Sequence, residues 1–233
     1  MVRLVVKFTK GNRTKYISHL DTMRTLHRAF RRAQLPISYS KGFNPHASIS
    51  VAAPLSLGIE SRAEYADVVI DGEMDIDYLV NALNIALPAD MKIVNAIPIN
   101  GKMPAAMAAV EFARYSISFD RAMDLTLCNS IIDEIMKNDE ILKMKRSKSG
   151  EKLVNIRPFL NSIEISDTAF ENMKFDCMIK SGSNGSLNID LVSELLKEYS
   201  KGEIKGYAYV TREEIYTLVD GKKIPLDKYF SRK

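Results

Sequence analysis

What most constrains the fold is the order in which two hydrophobic periods alternate along the first hundred residues. MVRLVVKFTK (1–10), rich in Val, reads as a strand, and GNRTK turns out of it. A helix then runs through SHLDTMRTLHRAFRRA (18–33), with Ser18 as its cap and Asp21 in the first turn, where a carboxylate suits the helix dipole. Pro36 ends it, because proline disfavours helical geometry in the residue before it. SISVAAPLSLG and RAEYADVVID follow as strand-like runs. DIDYLVNALNIALP then carries Leu, Val and Ile at three-to-four spacing, and MKIVNAIPI closes as a strand. Strand, helix, strand, strand, helix, strand is the ferredoxin-like order.

GKMPAAMAAVE (101–111) is a small-residue bridge that serves as a linker or a short helix, and the order then restarts. EFARYSISF is a strand and MDLTLCNSIIDEIMKN a helix; ILKMKRSKSGEKLVNIRP is a hairpin turned at Ser149-Gly150. NSIEISD and NMKFDCMIKS are strands, IDLVSELLKEYS is a helix, and IKGYAYVTREEIYTL is a final strand. The expected class is α+β, with two ferredoxin-like (βαββαβ) units in tandem, the second with an extra strand or hairpin. The expected boundaries are 1–100, a linker at 101–111, and 112–233.

Of the 233 residues 46% are hydrophobic and 27% charged, which suits a globular protein with a real core. No apolar run approaches the roughly 18 residues that cross a membrane. Arg3 and Lys7 break the N-terminal run that a signal peptide would need, so the expected setting is cytoplasmic, without a membrane partner. Cys128 and Cys177 stand far apart in apolar surroundings and read as buried thiols. With no Cys-x-x-Cys, this chain supplies no zinc ribbon or iron–sulfur ligand set of its own, and no metal or cofactor is expected on it.

Charge is distributed unevenly. Residues 1–50 carry ten basic side chains and one acid, Asp21; residues 51–100 carry eight acids against Arg62 and Lys92. Such separation produces one face that attracts a polyanion and another that repels it. At about 100° per residue, Leu20, Met23, Leu26, Phe30 and Ala33 share the helix arc expected to pack on the sheet. Arg24, Arg28, Arg31 and Arg32 fall on the adjoining arc, with His27 at the seam. Four arginines beside one acid repel one another. They read as a phosphate-binding stripe, or as a solvated face or a match to the acidic 51–100 segment.

YSKGFNPHA (39–47) follows this helix. Asn44-Pro45 demands a turn, so the segment is a loop. Tyr39 and Phe43 are placed to stack on bases, while Lys41 and the Gly42 backbone approach phosphates, and Asn44 and His46 belong to the same expected RNA-binding set. The alternative makes Tyr39 and Phe43 ordinary core residues at a strand entrance. Lys15, ahead of the helix, completes the expected RNA-binding set.

YISHLDTMRTLHRAFRRAQLPISYSKGFNPHASISVAAPLSLGIESRAEYADV resembles the signature of the radical-SAM-linked proteins, a bacterial family carried as a domain of unknown function. The likeness is dense across residues 1–100 and thinner through KSGEKLVNIRP and YVTREEIYTL. It implies an accessory role beside a radical-SAM partner that uses S-adenosylmethionine and an iron–sulfur cluster, with RNA as the substrate class. The polar positions matching the densest motif are Ser18, His19, Asp21, Ser40, Glu60, Ser61 and Glu64.

The only histidines are His19, His27 and His46. His19 and His27 are eight apart rather than the four that puts two ligands on one helical face, which argues against a metal. The tandem pattern is similar to that of the endoribonucleases that process CRISPR transcripts, which need no metal. On that reading His19 or His46, with Lys15 or Tyr39, would shuttle protons. SGSNGS (181–186) lacks the Gly-Lys-Ser/Thr of a phosphate loop and reads as a turn. KMKRSKSGEK (143–152) is a basic hairpin tip, and Glu60, Ser61 and Glu64 cap a turn, pair with the arginines or line a pocket. Three functions are expected in order: an RNA-binding adaptor for a radical-SAM enzyme, a metal-independent endoribonuclease, or a module that docks on that enzyme without RNA.

Overall fold

The computed structural model describes residues 1–120, 124–147, 150–169 and 172–232. Among them, twelve strands and six helices form a mixed α+β chain with mostly antiparallel pairing. The first part holds β1 (Val2–Lys10), α1 (His19–Arg32), β2 (Ile49–Val51), β3 (Glu60–Ile70), α2 (Ile76–Ala86), β4 (Ile93–Pro98) and α3 (Ala106–Ala109). Next come β5 (Phe112–Phe119), α4 (Leu125–Lys137), β6 (Leu142–Ser147), β7 (Gly150–Asn155), β8 (Leu160–Ala169), β9 (Asn172–Gly182), β10 (Gly185–Ser186) and α5 (Ile189–Tyr199). The chain closes with β11 (Ala208–Val219), β12 (Lys222–Pro225) and α6 (Leu226–Phe230).

Two compact units result: residues 1–111 with 212–233, and residues 112–211. The C-terminal boundary therefore differs from the expected 112–233. The last stretch belongs with the first unit because its apolar residues finish that unit's core. Ile215, Leu226 and Phe230 are buried with Val5 and Tyr65.

In the first unit β1 pairs antiparallel with β3 and β4, and β2 pairs with β3. Strand alternation gives β1 two buried faces. Leu4, Val6 and Phe8 pack with Leu26 and Phe30 of α1 and Leu79 and Leu83 of α2. Val5 points to the other side, with Ala106, Ile215 and Leu226. A sheet covered on both faces needs apolar residues at successive positions, which explains the unbroken LVV of β1.

Two expectations change here. Leu20 is exposed, and α1 buries Thr22, Leu26, Ala29 and Phe30, so the packed arc is rotated away from Leu20 and toward the small Ala29. The strand expected through SISVAAPLSLG is only Ile49–Val51, since Pro54 has no N–H to give to a ladder.

In the second unit β9 lies between β5 and β8, antiparallel to both. Ile117, Phe119, Phe175 and Cys177 are buried, as are Cys128, Ile131 and Ile135 of α4 and Val192, Leu195 and Leu196 of α5. Residues 181–186 form the β9–β10 hairpin, Gly185 opposite Gly182, a turn as expected. β6 and β7 form the anticipated separate hairpin, from Leu142↔Asn155 to Ser147↔Gly150. Of its expected turn, Ser149 lies outside the described residues, as does Lys148 of the basic tip.

Candidate nucleic-acid interface

α1 begins where the sequence says it should. Ser18 Oγ accepts from the Asp21 N–H at 3.1 Å and donates to the Asp21 carboxylate at 2.7 Å. That hydrogen bond, followed by one from Arg24, holds the Asp21 carboxyl below the usual carboxylate range. Ser18 and Asp21 are thus occupied in starting the helix. His19, next to the cap, has no side-chain hydrogen bond among the described residues.

All four stripe arginines are exposed, as the helical period requires, but they are not equivalent. Arg24 lies 3.0 Å from Asp21. Arg32 donates to the Ala86 carbonyl, the last residue of α2, where the helix dipole favours a cation. Arg28 and Arg31 have no hydrogen bond or ion pair among the described residues. They sit one turn apart on the same face, about 5–6 Å between Cβ atoms.

Residues 38–48 leave and rejoin the edge of β3. The Ser38 N–H donates to the Val69 carbonyl at 2.9 Å, and the Val69 N–H to the Ser48 carbonyl at 3.0 Å. Tyr39 and Ala47 form an antiparallel bridge. Above it the Ser40 N–H donates to the His46 carbonyl at 2.8 Å, and the His46 N–H to Ser40 Oγ at 2.9 Å. Lys41 to Pro45 make the tip, which Gly42 permits by adopting φ +139°. Phe43 is fully exposed there. The core alternative for Tyr39 and Phe43 is therefore corrected: both side chains are exposed, and Asn44-Pro45 lies in the exposed tip.

One contact ties loop to helix. The Tyr39 hydroxyl lies 2.9 Å from His27 Nε2, and the rings meet edge to face at 5.8 Å. His27 is flanked on α1 by Arg24, three residues before, and Arg31, four after, so Tyr39 at the base of the loop meets α1 beside the arginine face. The sequence placed His27 at the seam of the helix but carried no signal for its partner.

The remaining expected residues are engaged elsewhere. Lys15 is buried, its ammonium 3.2 Å from Glu60, so it is no free phosphate ligand. Buried Ser61 accepts from the Ala63 N–H. Glu64 pairs with Arg212 at 2.8 Å rather than with the arginine stripe. Arg212 also donates to the carbonyls of Ala53 and Pro54. Nearby Lys10 donates to the Ile17 carbonyl; burial pushes its pKa down, Glu64 opposes and Arg212 assists. On the other face of β1, Lys7 bridges Glu214 at 2.6 Å and Asp227 at 2.9 Å. Tyr65 donates to Glu214 at 2.7 Å.

The Arg3 guanidinium lies 2.6 Å from Asp67, and Arg13 is exposed in the turn after β1. Arg3, Lys7, Lys10 and Lys15 are spent inside the unit. What remains outward is the α1 face, the loop with Lys41, and Arg13. Among the described residues no cluster of three or more His, Cys, Asp or Glu could hold a metal, and no helix is long and apolar enough to cross a membrane.

Residues 3–189 match the model of a family described as an uncharacterized protein conserved in bacteria (DUF2344). The chain belongs to this family. Its description makes no mention of radical-SAM proteins. A search among curated proteins finds no match. Among solved structures, this chain is similar to one in a Cbf5-Nop10-Gar1 complex, at 10% identity and TM-score 0.47, over 91% of this chain and 48% of that one. It is also similar to a candidate glycine cleavage system transcriptional repressor, at 9% identity and TM-score 0.23, over 91% of this chain and 98% of that one. This chain thus spans about half the length of the first of these.

Proposed function

We propose that this protein is an RNA-binding accessory protein that presents a structured RNA, tRNA or rRNA, to a radical-SAM enzyme. The observation that carries the RNA reading is the sorting of charge. In the basic N-terminal segment, Arg28 and Arg31 share one outward helix face without an internal partner, and that helix is tied through His27 and Tyr39 to a loop that carries Lys41 and an exposed aromatic tip. Guanidiniums for phosphate beside an aromatic for bases is the combination single-stranded RNA modules use. The partner enzyme rests on the resemblance of the 16–68 segment to radical-SAM-linked proteins, and on this reading it brings the S-adenosylmethionine and the iron–sulfur cluster.

Each unit is read as a ferredoxin-like βαββαβ fold. The order β4-β1-β3-β2 in the first unit supports this, as does β5-β9-β8, with the start of β11 beside β5, in the second.

The nuclease alternative needs His19 or His46 to act with Lys15 or Tyr39. Lys15 is committed to Glu60 and Tyr39 to His27, so no observation favours it over binding.

Crosslinking of the tagged protein to RNA in its native cell, followed by sequencing, tests the reading. A sharp peak on one tRNA or rRNA segment is expected. Read ends piled at one position would move the reading to the nuclease. An empty result, with a radical-SAM enzyme captured after nuclease treatment, would replace RNA with a protein surface.

A further inference from the structure

We infer that the RNA contacted by this face presents an unpaired, splayed-out nucleotide, with Phe43 as its stacking platform and Arg28 and Arg31 holding the flanking phosphates. This rests on the RNA-binding reading and adds the form of RNA and a division of labour among the residues.

The two aromatics of the loop do different things. Tyr39 meets His27 edge to face, with its hydroxyl engaged at 2.9 Å. It is a positioning residue that fixes the loop against α1. Phe43 has no ring partner among the described residues and is fully exposed. Isolated exposed apolar side chains are common and need no explanation by themselves. Phe43 differs because it stands at the tip of a loop pinned just below it by the Ser40–His46 hydrogen bonds, which present the ring to solvent.

A ring free on both faces fits a base that has left its stack. Bases inside a duplex offer no face to it, and the deep, narrow major groove of A-form RNA excludes side chains from their edges. The cations agree. Two unpaired guanidiniums one helical turn apart suit successive phosphates of a short single-stranded stretch, whereas tracking a duplex calls for a longer basic track across its grooves.

The chain contains no tryptophan, so Phe43→Trp introduces a single tryptophan at the tip, excited selectively over the tyrosines at long wavelength. The probes are a mixed-sequence single-stranded RNA 12-mer and the duplex formed with its complement. Expected are quenching of Trp emission by the single strand and no quenching by the duplex. Phe43→Ala should weaken single-strand binding by about 5- to 150-fold, the range for one base–aromatic stack. It should leave the salt dependence unchanged, and Phe43→Tyr should restore affinity. If the single strand and the duplex bind equally, with emission unmoved and the salt slope still dependent on Arg28 and Arg31, the stacking inference is overturned while RNA binding stands. If neither RNA binds the unaltered protein, RNA binding falls, and this inference with it.

Discussion

Arg212 Nη1 lies 2.8 Å from Glu64 Oε1, with only 2% and 4% of the two side chains exposed. Residues 148 apart in the chain thus form an ion pair in the interior of the first unit. The pair is supported by the Ala53 and Pro54 carbonyls, which accept from the same guanidinium. Removing one partner leaves a charge buried without its counterion. Arg212→Met should lower unfolding free energy by about 3–5 kcal/mol, and the double variant with Glu64→Gln should recover part of that loss. Urea midpoints at constant m-value check this; a double variant no more stable than the single would contradict it.

Lys7 gives an alkaline prediction. Burial opposes its ammonium, but the hydrogen bonds it donates to Glu214 and Asp227 outweigh that, with their charges, and hold its pKa above the ordinary 10.5. Tyr65 is also pushed up, by burial first and then by Glu214. Both groups bind protons more tightly folded than unfolded. Their contribution is therefore fully present below the unfolded values, near 10, and is lost as pH rises through the folded values. Lys10, lowered by burial, works in the opposite sense, its cost easing as pH rises. Unfolding free energy should fall above about pH 10, and the fall should be shallower in Lys7→Met. An identical slope in that variant would exclude Lys7 as the cause.

The arginine helix makes a prediction about salt. Arg28→Glu and Arg31→Glu should each weaken RNA binding and reduce the slope of log K against log salt by roughly one unit per lost phosphate contact. Arg32→Glu should alter the slope less, because that guanidinium is already engaged by the Ala86 carbonyl. Fluorescence anisotropy between 50 and 200 mM salt, the range over which phosphate contacts show, measures all three. Equal slopes in every variant would remove the stripe from the interface.

The cysteines should be silent in the native protein. Burial, with Asp124 adding to it, pushes the Cys128 thiol up to about 11, and burial raises Cys177 as well. At pH 8 roughly one Cys128 in a thousand is then a thiolate. Labelling by a thiol reagent should proceed at the rate of unfolding and become immediate in denaturant. Rapid native labelling of either residue would refute the buried placement.

Much of the local structure was legible because local chemistry writes it. Ser18 and Asp21 mark the start of α1, Pro36 follows its end, and Asn44-Pro45 forces the loop at 39–46. The arginine stripe is exposed because the helical period alone decides which side chains share a face. The same period does not decide which face meets the sheet, and Leu20, assigned to the core arc, is exposed.

Lys15 and Glu64 were beyond reach for a different reason. Their partners, Glu60 and Arg212, are set by chain return, and nothing in the spacing of one segment encodes a contact 45 or 148 residues away. The closing strand was visible as a strand, but not as the piece that completes the first unit.

The sequence by itself determined most of the helices and longer strands, that the N-terminal segment is strongly basic, and that an aromatic, basic loop follows its helix. Only the tertiary structure decided which of those cations are available. Burial forces Arg3, Lys7, Lys10 and Lys15 to take internal partners, because an unpaired charge in the interior is costly. Arg28 and Arg31, held on the outer face of a helix whose other side fills the core, stay in water with their charge unspent.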